Sequence, residues 1–380
     1  MRIFILGVGS TGSLLAKLLT RQGHHVFCGD RDPERAHRFL GLSSPIEVER
    51  VNARDVWSIA KAARGTELLV NACPAVLNKT IIRAALRLRA HYLDTAAHLT
   101  GSPFLAEQLQ FVQRFQDKQR TAVITAGVAP GLTNLLVAAA ADFLDTVERV
   151  QIRLYESTDS DDPVSQWSAD ASFDEAVSRP RLYREGHFVL GRRFGEREVF
   201  RFPAPIGAVG VTLAAQDEVV TVPHVIPLQS MDAKIGGSDI DRLRRWHRQG
   251  RLKKSRGLVP SQFPRTPTPG TVDRLFHGGV LRNARFAVAV VVEGIKRAQP
   301  TTVRWDASIP SLYQLHQRGQ LCTPIAWATA QMTALFVKHF PHGEHGVYPP
   351  ESLPPQIRRA VLRGARARGI ALVKQVRRQR

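Results

Sequence analysis

The chain has 380 residues, enough for two domains. Its 43% hydrophobic and 23% charged residues are the balance of a folded protein and exclude a disordered one. Lys and Arg outnumber Asp and Glu by 53 to 33, and the resulting charge of +20 leaves nucleic acid, anionic membranes and acidic small molecules open as partners. The three cysteines, Cys28, Cys73 and Cys322, form no C-x-x-C pair, so neither a disulfide framework nor a structural zinc site is expected. No apolar run reaches the roughly 18 residues that span a bilayer. At the start, Ile3-Phe4-Ile5-Leu6 is too short for a secretory segment. These features predict a cytoplasmic protein with no membrane partner.

Over the first 130 residues, short apolar runs alternate with helical patterns. Residues 2–6 read as a strand, 11–22 as a helix and 25–29 as a second strand. A helix over 33–40, a strand over 46–52, a helix over 55–64 and a strand over 67–72 follow. Next come a helix over 79–89, a strand over 91–95, a helix over 103–118 and a strand over 122–126. Strands separated by crossover helices predict a parallel sheet covered on both faces. Past Pro130-Gly131 a helix over 133–143 precedes strand-like runs at 150–155, 198–202, 218–222 and 284–293. The last run is predicted to turn at Glu293-Gly294 and pair with 301–305. Residues 257–271 hold four prolines and read as an extended loop. Helical periodicity returns over 325–339, and Pro349-Pro350 and Pro354-Pro355 precede a basic helix over 356–368.

The chemistry is concentrated at Gly7-Val8-Gly9-Ser10-Thr11-Gly12, a G-x-G-x-x-G between a predicted strand and a predicted helix. The first glycine permits a tight turn, the second lets backbone approach a pyrophosphate, and the third lets helix and strand pack closely. The helix start adds amide donors and a positive dipole end. Asp30, 18 residues after Gly12, closes the second strand and can accept hydrogen bonds from an adenosine ribose. A carboxylate there would repel the 2′-phosphate of NADP, which favours NAD, while the adjacent Arg31 could bind that phosphate. The cofactor is thus NAD or NADP, with NAD preferred. The predicted fold is α/β, with an N-terminal Rossmann domain over residues 1–130, built on a doubly wound parallel sheet. A second α/β substrate and dimerisation domain follows over 131–324. C-terminal helices over 325–380 are expected to return to the first domain.

Further segments resemble the saccharopine dehydrogenase family, which holds saccharopine reductases, lysine 6-dehydrogenases and carboxynorspermidine dehydrogenases. Val70-Asn71-Ala72-Cys73-Pro74 is similar to the family's fourth-strand segment beside the cofactor. His91-Tyr92-Leu93-Asp94-Thr95 resembles its H-Y-x-D-T/S strand, and the segment from Gly127 through Pro130-Gly131 to Asn134 its G-x-x-P-G-x-x-N crossing between domains. Trp167-Ser168, Glu218 through Pro223, and Gly346 through Glu351 with Arg368-Gly369-Ile370 resemble further elements in the correct order. Asn52 stands where the family often has aspartate, and Ala129 where fungal saccharopine reductases carry aspartate, which argues against saccharopine itself as substrate. The resemblance implies an NAD(P)-dependent oxidoreductase acting at the CH–NH or CH–NH₂ carbon of an amino acid or polyamine-like substrate, as a homodimer. A Rossmann-fold binding or regulatory protein without turnover, and a reductase of a C=C or C=O bond, are the alternatives.

In that reading Gly7, Gly9, Ser10, Thr11 and Gly12 hold the pyrophosphate, Asp30 and Arg31 the ribose, and Asn52 and Ala53 the adenine edge. Asn71, Ala72, Cys73 and Pro74 lie beside the nicotinamide, beyond the carboxyl end of a parallel strand. Asp94 is the candidate proton acceptor, although an aspartate at a strand end also commonly hydrogen-bonds the following turn. Thr95, Pro130, Asn134, Trp167 and Glu218 are the candidate substrate residues. Glu218 either binds a substrate amine or faces outward from a half-exposed strand, and Trp167 either walls a cavity or fills a core. Cys73, with no base near it in sequence, reads as a packed thiol. His339, His342, Glu344 and His345 lack the spacing of H-E-x-x-H and read as a solvated loop. Positive charge gathers at residues 242–256 and in the tail from Gln356, which has nine Lys or Arg and no acid. Without interleaved aromatics these stretches predict a solvated basic surface and no specific nucleic acid partner.

Overall fold

A computed structural model describes residues 1–41, 43–99, 102–252 and 263–378. The chain divides into two compact units. The first comprises Met1–Leu132, Pro267–Asp273 and Ile325–Gly364; the second comprises Thr133–Thr266, Arg274–Pro324 and Ala365–Arg380.

In the first unit β1 (Arg2–Leu6), α1 (Ser10–Arg21), β2 (His25–Asp30), α2 (Pro33–Leu40) and β3 (Val48–Arg50) come first. They are followed by α3 (Val56–Ala62), β4 (Leu68–Asn71), α4 (Asn78–Leu88), β5 (His91–Asp94), α5 (Val112–Asp117) and β6 (Thr121–Val123). Later in the chain come α6 (Leu132–Ala141), β7 (Thr146–Ser160), α7 (Ala169–Val177), β8 (Arg181–Arg184), β9 (His187–Leu190), β10 (Glu198–Arg201) and β11 (Ala208–Leu213). After these lie α8 (Glu218–Thr221), β12 (Ser230–Gly236), α9 (Ser238–Arg248), α10 (Pro269–His277), β13 (Leu281–Lys296), β14 (Gln299–Ser308) and α11 (Leu312–Gln317). The chain closes with α12 (Pro324–Lys338), β15 (Gly346–Tyr348), α13 (Pro355–Ala367) and β16 (Ala371–Arg378).

The first unit is built on a seven-stranded sheet in the order β15-β6-β5-β4-β1-β2-β3, parallel at every pairing. The predicted doubly wound sheet is therefore present. Its strand order reverses direction between β1 and β4, which makes that crevice the switch point where such sheets bind ligands. Continuous apolar runs suit these strands because both faces are buried: Ile3, Phe4, Ile5, Leu68, Leu69 and Val70 are all fully covered. Two of this unit's helices, α2 and α3, start on side-chain caps. Asp32 accepts from the Arg35 amide with Pro33 in the first turn, and Asp55 accepts from the Trp57 amide.

The second unit carries a nine-stranded sheet along the path β10-β11-β12-β7-β13-β14-β16, with β8 pairing β12 and β9. Its centre is the long antiparallel pair of β7 and β13. Val150, Ile152, Leu154, Val288, Val290 and Val292 alternate onto one buried face.

Several elements differ from the sequence expectation. Residues 103–118 do not form one helix: a 3-10 turn at Glu107–Phe111 leads into α5. The hairpin between β13 and β14 turns at Arg297-Ala298, both left-handed, because Lys296 pairs with Gln299 and leaves a two-residue loop. Gly294 sits instead at a register shift against β7, where a Cβ would lie 2.0 Å from the Thr146 carbonyl. Residues 218–222 were expected to form a strand, yet Glu218–Thr221 are helical and run into a 3-10 turn at Val222–His224. A buried apolar run this short has no period that separates strand from helix. Of the C-terminal segment, Ile325–Gly364 belongs to the first unit, while Ala365–Arg380 joins the second, where β16 pairs antiparallel with β14. The proline-rich loop expected at 257–271 lies in part outside the described residues, as do Lys253, Lys254 and Arg256; its end is helical, since α10 begins at Pro269.

Candidate active site

At the carboxyl end of β1 the glycine loop is held by close backbone packing. Gly7 has φ +96°, and a Cβ there would lie 2.8 Å from the Ala72 carbonyl group. A Cβ on Gly12 would lie 1.9 Å from the Gly7 carbonyl oxygen, so only glycine lets α1 come this close to β1. Gly9 is different: a Cβ built on it meets nothing within 4 Å. Gly9 is also the N-cap of the twelve-residue α1, and no side chain caps that end. Ser10, Thr11 and Gly12 therefore present first-turn amides beside open space, the arrangement that receives a phosphate. The residues present fit a dinucleotide's pyrophosphate.

Asp30 ends β2, 8% exposed, with its carboxylate turned into this loop. Oδ2 accepts from the Val8 amide at 2.7 Å and Oδ1 from the Asp32 amide at 3.0 Å. Arg31 next to it is exposed, and its carbonyl accepts from Nη1 of Arg50 at 2.9 Å. Beyond β3, exposed Asn52 accepts the Arg54 amide on Oδ1, which closes the turn that carries Ala53.

Beyond β4 the side chain of Asn71 does not face the cofactor space. It is 1% exposed, donates to Oδ1 of Asn78 at 2.8 Å and to the Tyr92 hydroxyl at 3.0 Å, and accepts from the Cys73 amide at 2.9 Å. Asn78 in turn donates to the Ala96 carbonyl at 2.8 Å. Asn71 thus shapes the turn through Ala72, Cys73 and Pro74, and those residues offer backbone and small side chains to a ligand. Burial, with the Asp30 charge second, pushes the Cys73 thiol up to about 12, so it is no nucleophile at neutral pH.

Asp94 closes β5 at 1% exposure. Its Oδ1 accepts from the Thr125 amide at 2.8 Å and its Oδ2 from Nε2 of Gln108 at 2.9 Å. A carboxylate held on both oxygens in the interior anchors the β5 and β6 ends, the structural role open to an aspartate at a strand end. Thr95, half-buried, follows it into the space beyond the sheet. Pro130 is buried in a crossing where Gly131, at φ +128°, would drive a Cβ to 2.0 Å from the Gly127 carbonyl oxygen. That contact gives the paired glycines of this segment their physical reason.

The remaining candidates lie in the second unit. Thr133 donates to Glu218 at 2.5 Å and Asn134 to Thr221 at 3.1 Å, which locks α6 to α8 with Glu218 fully buried. Glu218 is therefore neither on a strand nor outward-facing. Ser168 caps α7 by accepting the Ala171 amide at 3.3 Å, and this cap explains the Trp-Ser pair in part. Trp167 lines a cavity of about 30 Å³ with Glu156 and Glu175, room for about one water. Burial holds both carboxyls protonated: Glu175 is pushed up to about 8, and Glu156 well above its usual range, raised further by Asp239. Sequence reasoning passed over Glu156, Glu175 and Asp239 because acids scattered over eighty residues have no local spacing signal. Asn78 and Gln108 were missed for the same reason.

The sequence match begins at the strand before this loop: residues 3–124 match the saccharopine dehydrogenase NADP binding domain family. Carboxynorspermidine synthase of Vibrio cholerae serotype O1 is 28% identical over 120 residues, 29% of each chain. The same-named protein of Vibrio alginolyticus is 24% identical over 255 residues, 64% of this chain and 60% of that one. The chain thus matches less than two thirds of the length of these curated relatives. In fold it is similar to the apo saccharopine dehydrogenase (L-Glu forming) of Saccharomyces cerevisiae, at TM-score 0.71 and 11% identity over 99% of both chains. Among the described residues no helix is long and apolar enough to cross a membrane.

Proposed function

From a first unit that resembles the saccharopine dehydrogenase NADP-binding domain, we propose that this protein is a nicotinamide-dependent oxidoreductase of that type. It transfers hydride at the CH–NH or CH–NH₂ carbon of an amino acid or polyamine-like substrate. The observation that carries the reading is the uncapped start of α1 beside the open position at Gly9. A bound nicotinamide would supply the hydride acceptor or donor, and the chain's own residues do the rest. The first-turn amides of Ser10, Thr11 and Gly12 bind the pyrophosphate. Asp30, held by the Val8 and Asp32 amides, keeps the loop in shape and disfavours a 2′-phosphate, while exposed Arg31 favours one, so the cofactor is NAD or NADP, with NAD preferred. The buried carboxyls Glu156, Glu175 and Glu218 of the second unit support a cationic amine as substrate. An ammonium group placed beside Glu156 and Glu175 would take over from the protons that burial favours on those two.

The assembly is a homodimer in this reading. β16 lies at one end of the nine-stranded path, with Val373 53% and Val376 41% exposed, and such an edge invites pairing. Cys28, Cys73 and Cys322 are thiols in no disulfide among the described residues, which suits a reducing, cytoplasmic compartment. The decisive experiment screens diamines, polyamines, amino acids and their imine adducts for oxidation or reduction of the nicotinamide by its absorbance. Turnover on a primary or secondary amine supports the proposal. Turnover confined to C=C or C=O substrates, or cofactor binding with no turnover on any member of the panel, overturns it.

A further inference from the structure

On the outer surface of the first unit, α4 and α5 wall an open groove of about 840 Å³ lined by Arg83, Leu86, Arg87, Arg114, Asp117 and Lys118. Arg83 and Arg87 are spaced i, i+4 on α4, and Arg114 on α5 stands four residues before Lys118, the residue that caps the end of that helix. Each helix therefore turns two cations to the same side. All four are exposed, and among the described residues none of the four lies within ion-pair distance of a carboxylate. The one acid in the groove, Asp117, accepts instead from Nε2 of Gln113 at 2.9 Å.

Beside this groove stands Trp57, the first full turn of α3, with 64% of its surface exposed. The Arg87 guanidinium lies 3.3 Å from the ring centroid and covers one face. An indole left this exposed loses the favourable burial of a large apolar surface. Its cation partner is itself one of the groove residues. Uncompensated cations at regular spacing with an aromatic platform next to them are the two parts of a surface that follows a flexible phosphate chain and stacks its bases.

We propose that this groove binds single-stranded nucleic acid without sequence preference, the four cations meeting its phosphates and Trp57 stacking a base. The open shape fits a polymer better than an enclosed small molecule. The site differs from the stretches that linear charge density singles out. On α9, Arg242 pairs with Asp239 at 2.9 Å and Arg244 with Asp241 at 3.1 Å, so much of that charge is already met within the protein.

The test uses the full chain and a fluorescein-labelled oligo(dT), read by anisotropy over a salt series. About four phosphate contacts on a single strand predict a loss of affinity of about fiftyfold between about 50 and 200 mM salt. Arg83→Gln with Arg114→Gln should weaken binding at least tenfold and flatten the salt slope by about half. Trp57→Ala should weaken it about tenfold with the salt slope unchanged, and Trp57→Phe should restore most of the loss. Far-UV circular dichroism and melting of each variant should match the parent, since all the substituted side chains are exposed. Arg244→Gln with Arg245→Gln on α9 serves as the control and should change little. Equal losses in that control, duplex DNA binding as tightly as oligo(dT), or heparin matching oligo(dT) with no effect of Trp57→Ala would each overturn the proposal.

Discussion

The amide of Val8 donates to Oδ2 of Asp30 at 2.7 Å, tying the glycine loop of β1 to the end of β2. The aspartate that a fingerprint assigns to a ribose is thus also the clamp that fixes the loop's shape. Two roles on one carboxylate separate when its neighbours, rather than the aspartate itself, are substituted.

Gly9→Val and Gly12→Ala should fail in opposite ways. A side chain at Gly9 meets open space, so Gly9→Val should melt within about 2 °C of the parent and lose cofactor affinity by at least about a hundredfold. A methyl at Gly12 lies 1.9 Å from the Gly7 carbonyl oxygen, so Gly12→Ala should cost about 2 kcal/mol or more of stability. Calorimetric titration with NADPH and thermal melts check both. Full affinity in a folded Gly9→Val protein would remove the pyrophosphate from this loop.

Arg31→Ala tests the cofactor preference. The side chain is exposed and outside the loop clamp, so folding should be unaffected. Affinity for NADPH should fall about tenfold while that for NADH stays within about twofold, as expected for loss of one charge-assisted contact. A parallel fall for both cofactors would place Arg31 away from the 2′ position.

Asp94→Asn should damage the fold before the chemistry. The amide would set an N–H₂ group against either the Gln108 amide or the Thr125 backbone N–H, which now donate to Oδ2 at 2.9 Å and Oδ1 at 2.8 Å. A cost of about 2–3 kcal/mol is expected, with kcat/KM of the folded protein within about threefold of the parent. An unchanged melting temperature with a hundredfold loss of kcat/KM would instead identify Asp94 as the proton acceptor.

Glu175 predicts how stability responds to pH. Burial leads the causes that push its carboxyl from an ordinary 4.5 to about 8, with Asp217 and Glu218 adding to the shift and the Gln216 bond opposing it. Between these values the native state holds a proton that the unfolded chain has released. The stabilisation is therefore complete below about pH 4.5 and is lost as pH rises toward about 8, with a slope of about 1.4 kcal/mol per pH unit. Glu175→Gln keeps the Gln216 neighbour and removes the titration. Its melting temperature should fall less than the parent's from about pH 5 to about pH 8. Parallel curves would show that Glu175 ionises normally.

The first six strands were legible because each is a short apolar run bounded by turn residues and followed by a helical period. The glycine loop was legible because its residue types answer to backbone geometry. Legibility failed where tertiary contacts decide. Val219-Val220-Thr221-Val222 has the composition of a strand, but burial on all sides and the Thr133 and Asn134 bonds settle it as helix. β16 reads as a charged tail because seven of its eight residues are exposed and three of them are Lys or Arg, and only its pairing with β14 makes it a strand. Asn71 and Asp94 were found by position, yet their partners Asn78 and Gln108 leave no pattern in the chain, so interior anchoring could not be told from chemistry.

β15 has a consequence for how this chain is made. Gly346–Tyr348 is one edge strand of the first unit's sheet, and Thr121, the first residue of β6, donates to the Pro341 carbonyl across a separation of 220 residues. A ribosome releasing the protein from its N-terminus therefore presents β6 with one flank unpaired while most of the second unit is still being synthesised. Nascent molecules carry an unsatisfied row of amides and carbonyls through that interval, and the first sheet closes only when the last of its own strands emerges.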